Sequence, residues 1–346
     1  MTTQQNQPNP ESIMQIGSGF WASKILLSAV KFEIFTILAE RKAMSATTLK
    51  SHLGLNCTDR NVYDFLDALK VFGFLNRTGL LETASYSNSM DTDVFLDKNK
   101  PTYIGGMLEM MNNRLYGFWG NLEEGLTTGL PQNEAKTGGD LFERLYSDPD
   151  RLKEFIHAMG AFQMGNFMAF SQVFDFSKYK TLVDVGGSGG LLSLMVAKNQ
   201  AHMNCTSWDL PPVEPIASEA IKHFGLSDRV KAAQGDFFKD DIPKADIVVM
   251  GNILHDWDEE IKLMLMQKAY DSLPEGGAFV AIEGVIDDQR EKNVFGMMMS
   301  LNMLIETGKG FDYTFADFNR WAKKVGFKTT TLTPLAGPSS AAIAYK

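Results

Sequence analysis

The sequence predicts an α/β protein: a Rossmann-like, doubly wound sheet preceded by a helical, winged-helix-like domain. Three observations lead there. The chain changes character near residue 180, before which helical periodicity dominates and strands are nearly absent. After it, the short apolar runs "TLVDV", "NCTSWDL", "VKAAQG", "ADIVVMGN" and "GAFVAIEGV" alternate with helical segments, and "KTTTLTPL" and "AAIAYK" add two more. Glycines or acids follow the ends of successive runs, where ligands of such sheets bind.

At 346 residues the chain suffices for one large or two ordinary domains. Acidic residues outnumber basic ones, 42 to 33, for a formal charge of -9, which argues against nucleic acid or an anionic membrane as partner. Cys57 and Cys205 are far apart and in no metal-like spacing, so a reducing, cytoplasmic compartment and no metal site are expected. The polar start "MTTQQNQPNPES" reads as a disordered tail over 1–12 rather than a signal peptide. No apolar run approaches the ~20 residues of a membrane span.

Residues 13–120 read as a helical, winged-helix-like dimerisation domain. Phe20–Glu40 is apolar on more than one side of a helix, and a face that a small domain cannot hide often meets a second subunit, so a homodimer is expected. "SATTLKSHLG" and "DRNVYDFLDALKVFG" each open with a capping residue, Ser45 or Asp59, and close at a glycine, Gly54 or Gly73. "FLNRTGLLETASYS" reads as a hairpin turning at Thr78-Gly79. Three helices and a hairpin are the order of a winged helix. DNA binding is one reading, but Asp59, Asp64 and Asp67 on the third helix would repel phosphate, which favours a scaffold.

Residues 121–346 read as the ligand-binding domain with leading helices. Residues 101–175 are rich in Met and aromatics, which suits either a core or an adaptable apolar pocket. The first strand of the sheet ends in Asp184 and the loop "GGSGG", whose Gly186 and Gly187 let the backbone approach a ligand. The second ends at Asp209-Leu210, where an acid can accept both hydroxyls of a ribose. To this point a nicotinamide dinucleotide and S-adenosylmethionine fit equally well. The third ends in Gly235-Asp236-Phe237, a pair able to bracket an adenine, although Asp236 also reads as a turn cap. The fourth ends in "GNILHDW". Out of context, the histidine there reads as a helix cap or a buried structural residue.

These stretches in this order resemble the class I S-adenosylmethionine-dependent methyltransferases. Specifically, "LVDVGGSGG", "WDLPPV", "GDFFKDDIPKADIVV", "ILHDWDEE", "LPEGG" and "SLNMLIETGKG" resemble the small-molecule O-methyltransferase family of plant caffeate and flavonoid enzymes, acetylserotonin O-methyltransferase and bacterial relatives. The resemblance covers nearly the whole chain and implies a seven-stranded methyltransferase sheet and an N-terminal dimerisation domain. It implies His255 as catalytic base, with Glu283 as the carboxylate flanking it and Asp312 as second acid; Glu306 competes for that place. It implies Asp209, Leu210, Gly235, Asp236, Phe237 and Trp257 as ribose and adenine contacts. Tyr146, Gln163 and Asn252 fall at cofactor-side positions, the last where relatives often carry a basic residue. Phe155, Met159, Phe162 and Met303 resemble the lining of the acceptor pocket. Ser188 replaces a frequent glycine.

The implied activity is methyl transfer from S-adenosyl-L-methionine to a hydroxyl of a small, aromatic molecule, leaving S-adenosyl-L-homocysteine. A phenol with pKa ~10 is mostly un-ionised at neutral pH. An imidazole can take its proton as the bond forms, worth ~10²–10⁴-fold, and a carboxylate on the other ring nitrogen would fix its tautomer. Rival readings are N-methylation or non-methylating chemistry on the same fold, a nicotinamide oxidoreductase, and a winged-helix DNA-binding regulator.

Overall fold

The computed structural model describes residues 8–138 and 146–346. Residues 1–7 of the expected tail lie outside the described residues. The tail is shorter than expected, because a helix begins at Glu11, whose N–H is taken by Asn9 Oδ1 (2.9 Å). The chain divides between Tyr116 and Gly117 into two compact units.

In the first unit, helices Gly19–Lys31, Ile34–Arg41, Ala46–Leu53 and Asp59–Val71 surround a small sheet. Its strands are β1 (Met44–Ser45), β2 (Leu75–Thr78) and β3 (Ser85–Asn88), in the order β1-β3-β2, all antiparallel. Val30, Phe35, Leu38, Leu49, Leu66 and Tyr86 form its core. The expected single helix over Phe20–Glu40 is broken at Phe32–Glu33, where Glu33 is left-handed (φ 56°). The bend brings Leu27 and Val30 on one side of the break, and Ile34, Phe35 and Leu38 on the other, into burial.

The helix expected to be capped by Asp59 is capped by Thr58. Its hydroxyl accepts the Asn61 N–H while Asn61 reaches back to the Thr58 N–H. Between β2 and β3 lies a longer connection than a tight turn, with Leu81–Thr83 in a short 3₁₀ helix. Charges on helix Asp59–Val71 are used locally. Asp67 accepts from Tyr86 Oη (2.7 Å) and pairs with Arg77 (2.6 Å), and Asp64 pairs with Arg60 (3.0 Å).

Ile13, Ile16, Phe20 and Trp21 are exposed, the isoleucines at 72% and 82%. Contrary to the expectation from composition, one helical stretch, Glu11–Lys31 (21 residues), is long and apolar enough to cross a membrane by length and composition.

The second unit is built on seven strands: β4 (Thr181–Val185), β5 (Asn204–Asp209), β6 (Val230–Gln234), β7 (Ile247–Gly251), β8 (Ala278–Glu283), β9 (Thr329–Pro334) and β10 (Ser340–Tyr345). Their order is β6-β5-β4-β7-β8-β10-β9. The first five are parallel, and β10 runs antiparallel to both neighbours. β7 and β8 are apolar almost throughout because both faces are covered. Phe279, Leu265, Phe318 and Trp321 fill one side, and Leu192, Met195, Ile221 and Phe170 the other. The threonine-rich β9 lies at an edge, half in water.

The order reverses at β4, flanked by β5 on one side and β7 on the other. Ligands of open parallel sheets bind beyond the carboxyl ends at such a switch. The loops after β4, β5, β6 and β7 all open there.

Candidate active site

β4 passes directly into Gly186, whose N–H donates to Trp208 O (2.9 Å). Gly186 has φ +68°, and a Cβ there would lie 2.3 Å from Ile253 Cδ1. The backbone conformation favours glycine, and a larger residue would also have to push the Ile253 side chain aside. Ser188, also left-handed (φ 51°), aims its N–H at Asp209 Oδ2 (2.8 Å). The Leu210 N–H takes Asp209 Oδ1 (2.7 Å). Burial pushes the Asp209 carboxyl up to about 6, against these two amides. Each oxygen accepts one N–H and retains a lone pair, so the carboxylate can still receive two hydroxyls.

After β6, Gly235 and Asp236 lead into Phe237 and Phe238. The Trp257 ring meets both phenylalanines edge-on, with centroids 6.0 and 4.9 Å away. Asp236 is engaged as a turn residue, accepting the Phe238 N–H (2.9 Å) and pairing with Lys239 (2.8 Å). After β7, Asn252 is left-handed (φ 53°), a conformation asparagine tolerates, and its N–H donates to Ile282 O (3.1 Å).

The helix Pro149–Val173 carries Phe155, Met159, Phe162 and Gln163. The first three are spaced by four and three residues and share one face. Phe162 packs on Phe295 (6.1 Å) of helix Val294–Thr307, which also carries the buried Met303. Near its start, Leu152 and Ile156 pack with Tyr146 against Val213, which follows β5. Gln163 is buried. Its Oε1 accepts from Asn166 Nδ2 (2.7 Å), while its Nε2 and the Ser188 Oγ are buried without a protein partner. Spare lone pairs on Asp209 and these orphaned polar atoms fit a polyhydroxylated, amino-acid-bearing cofactor.

The turn Leu254–Asp256 places His255 in a buried position. Its Nδ1 lies 3.4 Å from Asp312 Oδ1 and its Nε2 lies 3.5 Å from Asp256 Oδ1. The Asp312 contact is a charge pairing rather than an aligned hydrogen bond. Glu283 also holds the backbone beside the ring: Oε1 accepts the N–H groups of Ile253 and His255, both at 3.1 Å. It stands at the end of β8, next to β7 in parallel register, so it meets the backbone turn that follows β7. Of the two candidates for the second acid, Asp312 is the one at the ring. Glu306 is engaged elsewhere, its carboxylate accepting from Asn133 Nδ2 (3.0 Å).

Burial alone would lower the His255 imidazole, but the carboxylates of Asp312, Asp256 and Glu283 outweigh it and raise the group to about 10. Asp256 is pushed up to about 7 by burial, with His255 opposing.

Three participants were missed by sequence reasoning. Asp256 stands in sequence simply as the middle of "HDW". Gly310 lies against the turn, where a Cβ would be 2.5 Å from His255 O and 2.6 Å from Asp256 O. Lys262 is fully buried beneath the site. The signal for Lys262 was present in its phase: it shares a helix face with Leu265, Met266 and Ala269, all buried.

Residues 119–328 match the O-methyltransferase domain, and residues 14–98 match the O-methyltransferase dimerisation domain. The chain belongs to the O-methyltransferase family. Tetracenomycin polyketide synthesis 8-O-methyl transferase TcmO of Streptomyces glaucescens is 34% identical, over 100% of this chain and 99% of that protein. The N,N-dimethyltransferase OxyT of Streptomyces rimosus is 29% identical, over 92% and 90%. In fold, the chain is similar to the crystal structure of human N-acetylserotonin methyltransferase in complex with SAM. The TM-score is 0.88 at 24% identity, covering 100% of this chain and 99% of that one. S-adenosyl-L-methionine is the cofactor of this O-methyltransferase family, and the polar groups around Asp209 suit it. Among the described residues, no three His, Cys, Asp or Glu gather as metal ligands.

Proposed function

We propose that this O-methyltransferase methylates a hydroxyl of a small aromatic molecule, with His255 receiving the hydroxyl proton. The observation that carries the reading is the His255 ring, buried between Asp312 and Asp256 just beyond β7. S-adenosylmethionine supplies an electrophilic methyl group on sulfur. Asp209 would hold its ribose, Phe237 and Trp257 would flank its adenine, and Gly186 and Gly187 would give it room. Tyr146, Gln163 and Asn252 would border the remainder, as would Leu210, Gly235 and Asp236. Phe155, Met159, Phe162 and Met303 would offer an apolar lining to the acceptor. The name of TcmO, an 8-O-methyl transferase of polyketide synthesis, supports oxygen as the methylated atom.

The carboxylates around His255 make it a strong proton holder. Its value of about 10 matches that of an ordinary phenol, so proton transfer between the two is nearly balanced. The neutral imidazole is correspondingly scarce at pH 7, and kcat/KM should rise with pH through the neutral range. Glu283 fixes the turn, and Asp312 holds the ring.

His255→Ala tests the reading. For a phenol of normal acidity, kcat should fall ~10²–10⁴-fold, with little change in affinity for S-adenosylhomocysteine. An acceptor already ionised at assay pH should largely escape. Near-normal kcat on a weakly acidic phenol, in a folded variant, overturns it. The name of OxyT supports N-methylation as a second reading; a panel of phenols and amines read by mass spectrometry separates the two.

The enzyme is proposed to work as a cytoplasmic homodimer. The dimerisation-domain match spans 14–98 and so includes the exposed Ile16, Phe20 and Trp21. A second copy of the chain is the occupant these apolar side chains suit. Cys57 and Cys205 are unpaired, in keeping with a reducing compartment.

A further inference from the structure

Among the described residues, Lys262 is the only lysine or arginine that is fully buried, and no carboxylate lies within salt-bridge distance of its Nζ. Its Nζ donates to Trp257 O and sits 3.5 Å above the centre of the Phe311 ring, with the Trp321 ring 6.0 Å away. Burying an ammonium costs several kcal/mol unless opposite charge compensates it. The compensation is the set of acids around His255. Asp258 heads the helix of Lys262, and Asp256 and His255 come from the turn before it. Glu283 comes from β8, and Asp312 and Tyr313 from the segment after Gly310, while helix Phe315–Val325 faces Lys262 with the neutral Trp321. Burial lowers the lysine to about 8, while Glu283, Asp312, Asp256 and Asp258 hold it up.

We propose that Lys262 is a positioning residue of the methyltransferase site: its buried ammonium is the counter-charge that limits how tightly His255 holds a proton. Three carboxylates around one imidazole make an over-stable imidazolium, which cannot accept an acceptor's proton. A cation buried in the same low-dielectric cluster repels that proton. Its bond to Trp257 O also ties the end of the His255 turn to the helix beneath, so charge and position act on the same three residues.

The inference rests on His255 as the base and deepens that reading. Its test is the pH profile of kcat/KM in Lys262→Met and Lys262→Gln, with a phenol of normal acidity. Met preserves length and packing; Gln also preserves a donor for Trp257 O. Removal of the cation should move the acid limb to higher pH in both variants and lower kcat/KM at pH 7 about tenfold, the equivalent of one pKa unit. Thermal stability of Lys262→Met should fall, because the buried carboxylates that the ammonium compensates stay behind. An unmoved limb in either folded variant overturns the inference, as does a wild-type profile restored by Gln alone, which would assign the effect to the hydrogen bond. If neither variant folds, ¹³C NMR of the wild-type lysines decides: a lysine titrating near 8 whose ionisation perturbs the His255 resonance supports the coupling, and its absence overturns it. Failure of His255 as base would show independently, as full activity of His255→Ala.

Discussion

Glu283 reaches His255 through the backbone: its Oε1 accepts the His255 N–H at 3.1 Å and the Ile253 N–H at the same distance. One carboxylate oxygen therefore clamps both ends of the segment that carries the imidazole, while Asp312 and Asp256 pair directly with the ring nitrogens. The division of labour gives the three acids separable phenotypes.

Asp312→Asn removes the charge at His255 Nδ1 while retaining shape. The His255 imidazole is raised chiefly by Asp312 against the effect of burial, so its pKa should fall. For a general base this moves the acid limb of kcat/KM to lower pH. The maximal rate should nonetheless drop by ~10²-fold or more, because the imidazolium formed in the reaction loses its stabilising charge. A pH–rate profile checks both. A limb that stays in place would mean that Asp256 alone sets the proton affinity.

Much of this site was legible because chemistry in a doubly wound sheet gathers where strands end. Asp209, Gly186 and His255 follow apolar runs, and the runs are easy to read. What escaped was direction. Sequence places Glu283 at the end of β8 but not which atoms of the β7 turn it meets, since that depends on strand register and pleat. The break at Phe32–Glu33 escaped because apolar periodicity continues across it, and only the shape of the core requires the bend. Lys262 escaped because a lysine is read by default as exposed, whatever the phase of its helix.

Asp209→Asn should weaken S-adenosylhomocysteine by ~1.5–3 kcal/mol, the scale of a lost hydrogen bond to a charged group. The same residue has a stability signature. Its folded pKa of about 6 lies above the ordinary value of 3.8, so the native state binds the proton more tightly. The Asp209 contribution to stability is thus full below about pH 4 and lost as pH rises through about 6. The variant lacks that loss. Its Tm relative to the wild type should be higher at pH 8 than at pH 4, as calorimetry can measure. The opposite trend would mean that the carboxylate is not held under a burial penalty.

The N-terminal apolar surface predicts assembly. Light scattering on the intact chain should give twice the chain mass at micromolar concentration. Trp21→Asp, at a side chain 64% exposed in the single chain, should yield a folded monomer, because it costs nothing in the core and places a charge in the contact. A clean monomer of the wild-type protein would sink the dimer, and an unaffected Trp21→Asp dimer would move the contact elsewhere.

Gly310 tests whether the Asp312 segment is fitted to the His255 turn. A Cβ at position 310 would stand 2.5 Å from His255 O and 2.6 Å from Asp256 O. Both are backbone atoms, and the Glu283 clamp on the His255 N–H leaves the turn little freedom to retreat. The segment after Gly310 must move instead, and two residues on it carries Asp312, now 3.4 Å from His255 Nδ1. Overpacking of this kind costs about 1–3 kcal/mol of stability. A displacement near 1 Å in a catalytic group costs about 10²-fold in rate. Gly310→Ala should therefore lower kcat about 10²-fold, with S-adenosylhomocysteine affinity almost unchanged because Asp209 and the Gly186 loop lie on other strands. Steady-state kinetics and calorimetry on the same preparation separate the two. Equal losses in rate and affinity would mean that the added methyl group disturbs the whole strand-end surface, and that Asp312 is not held in place by this contact.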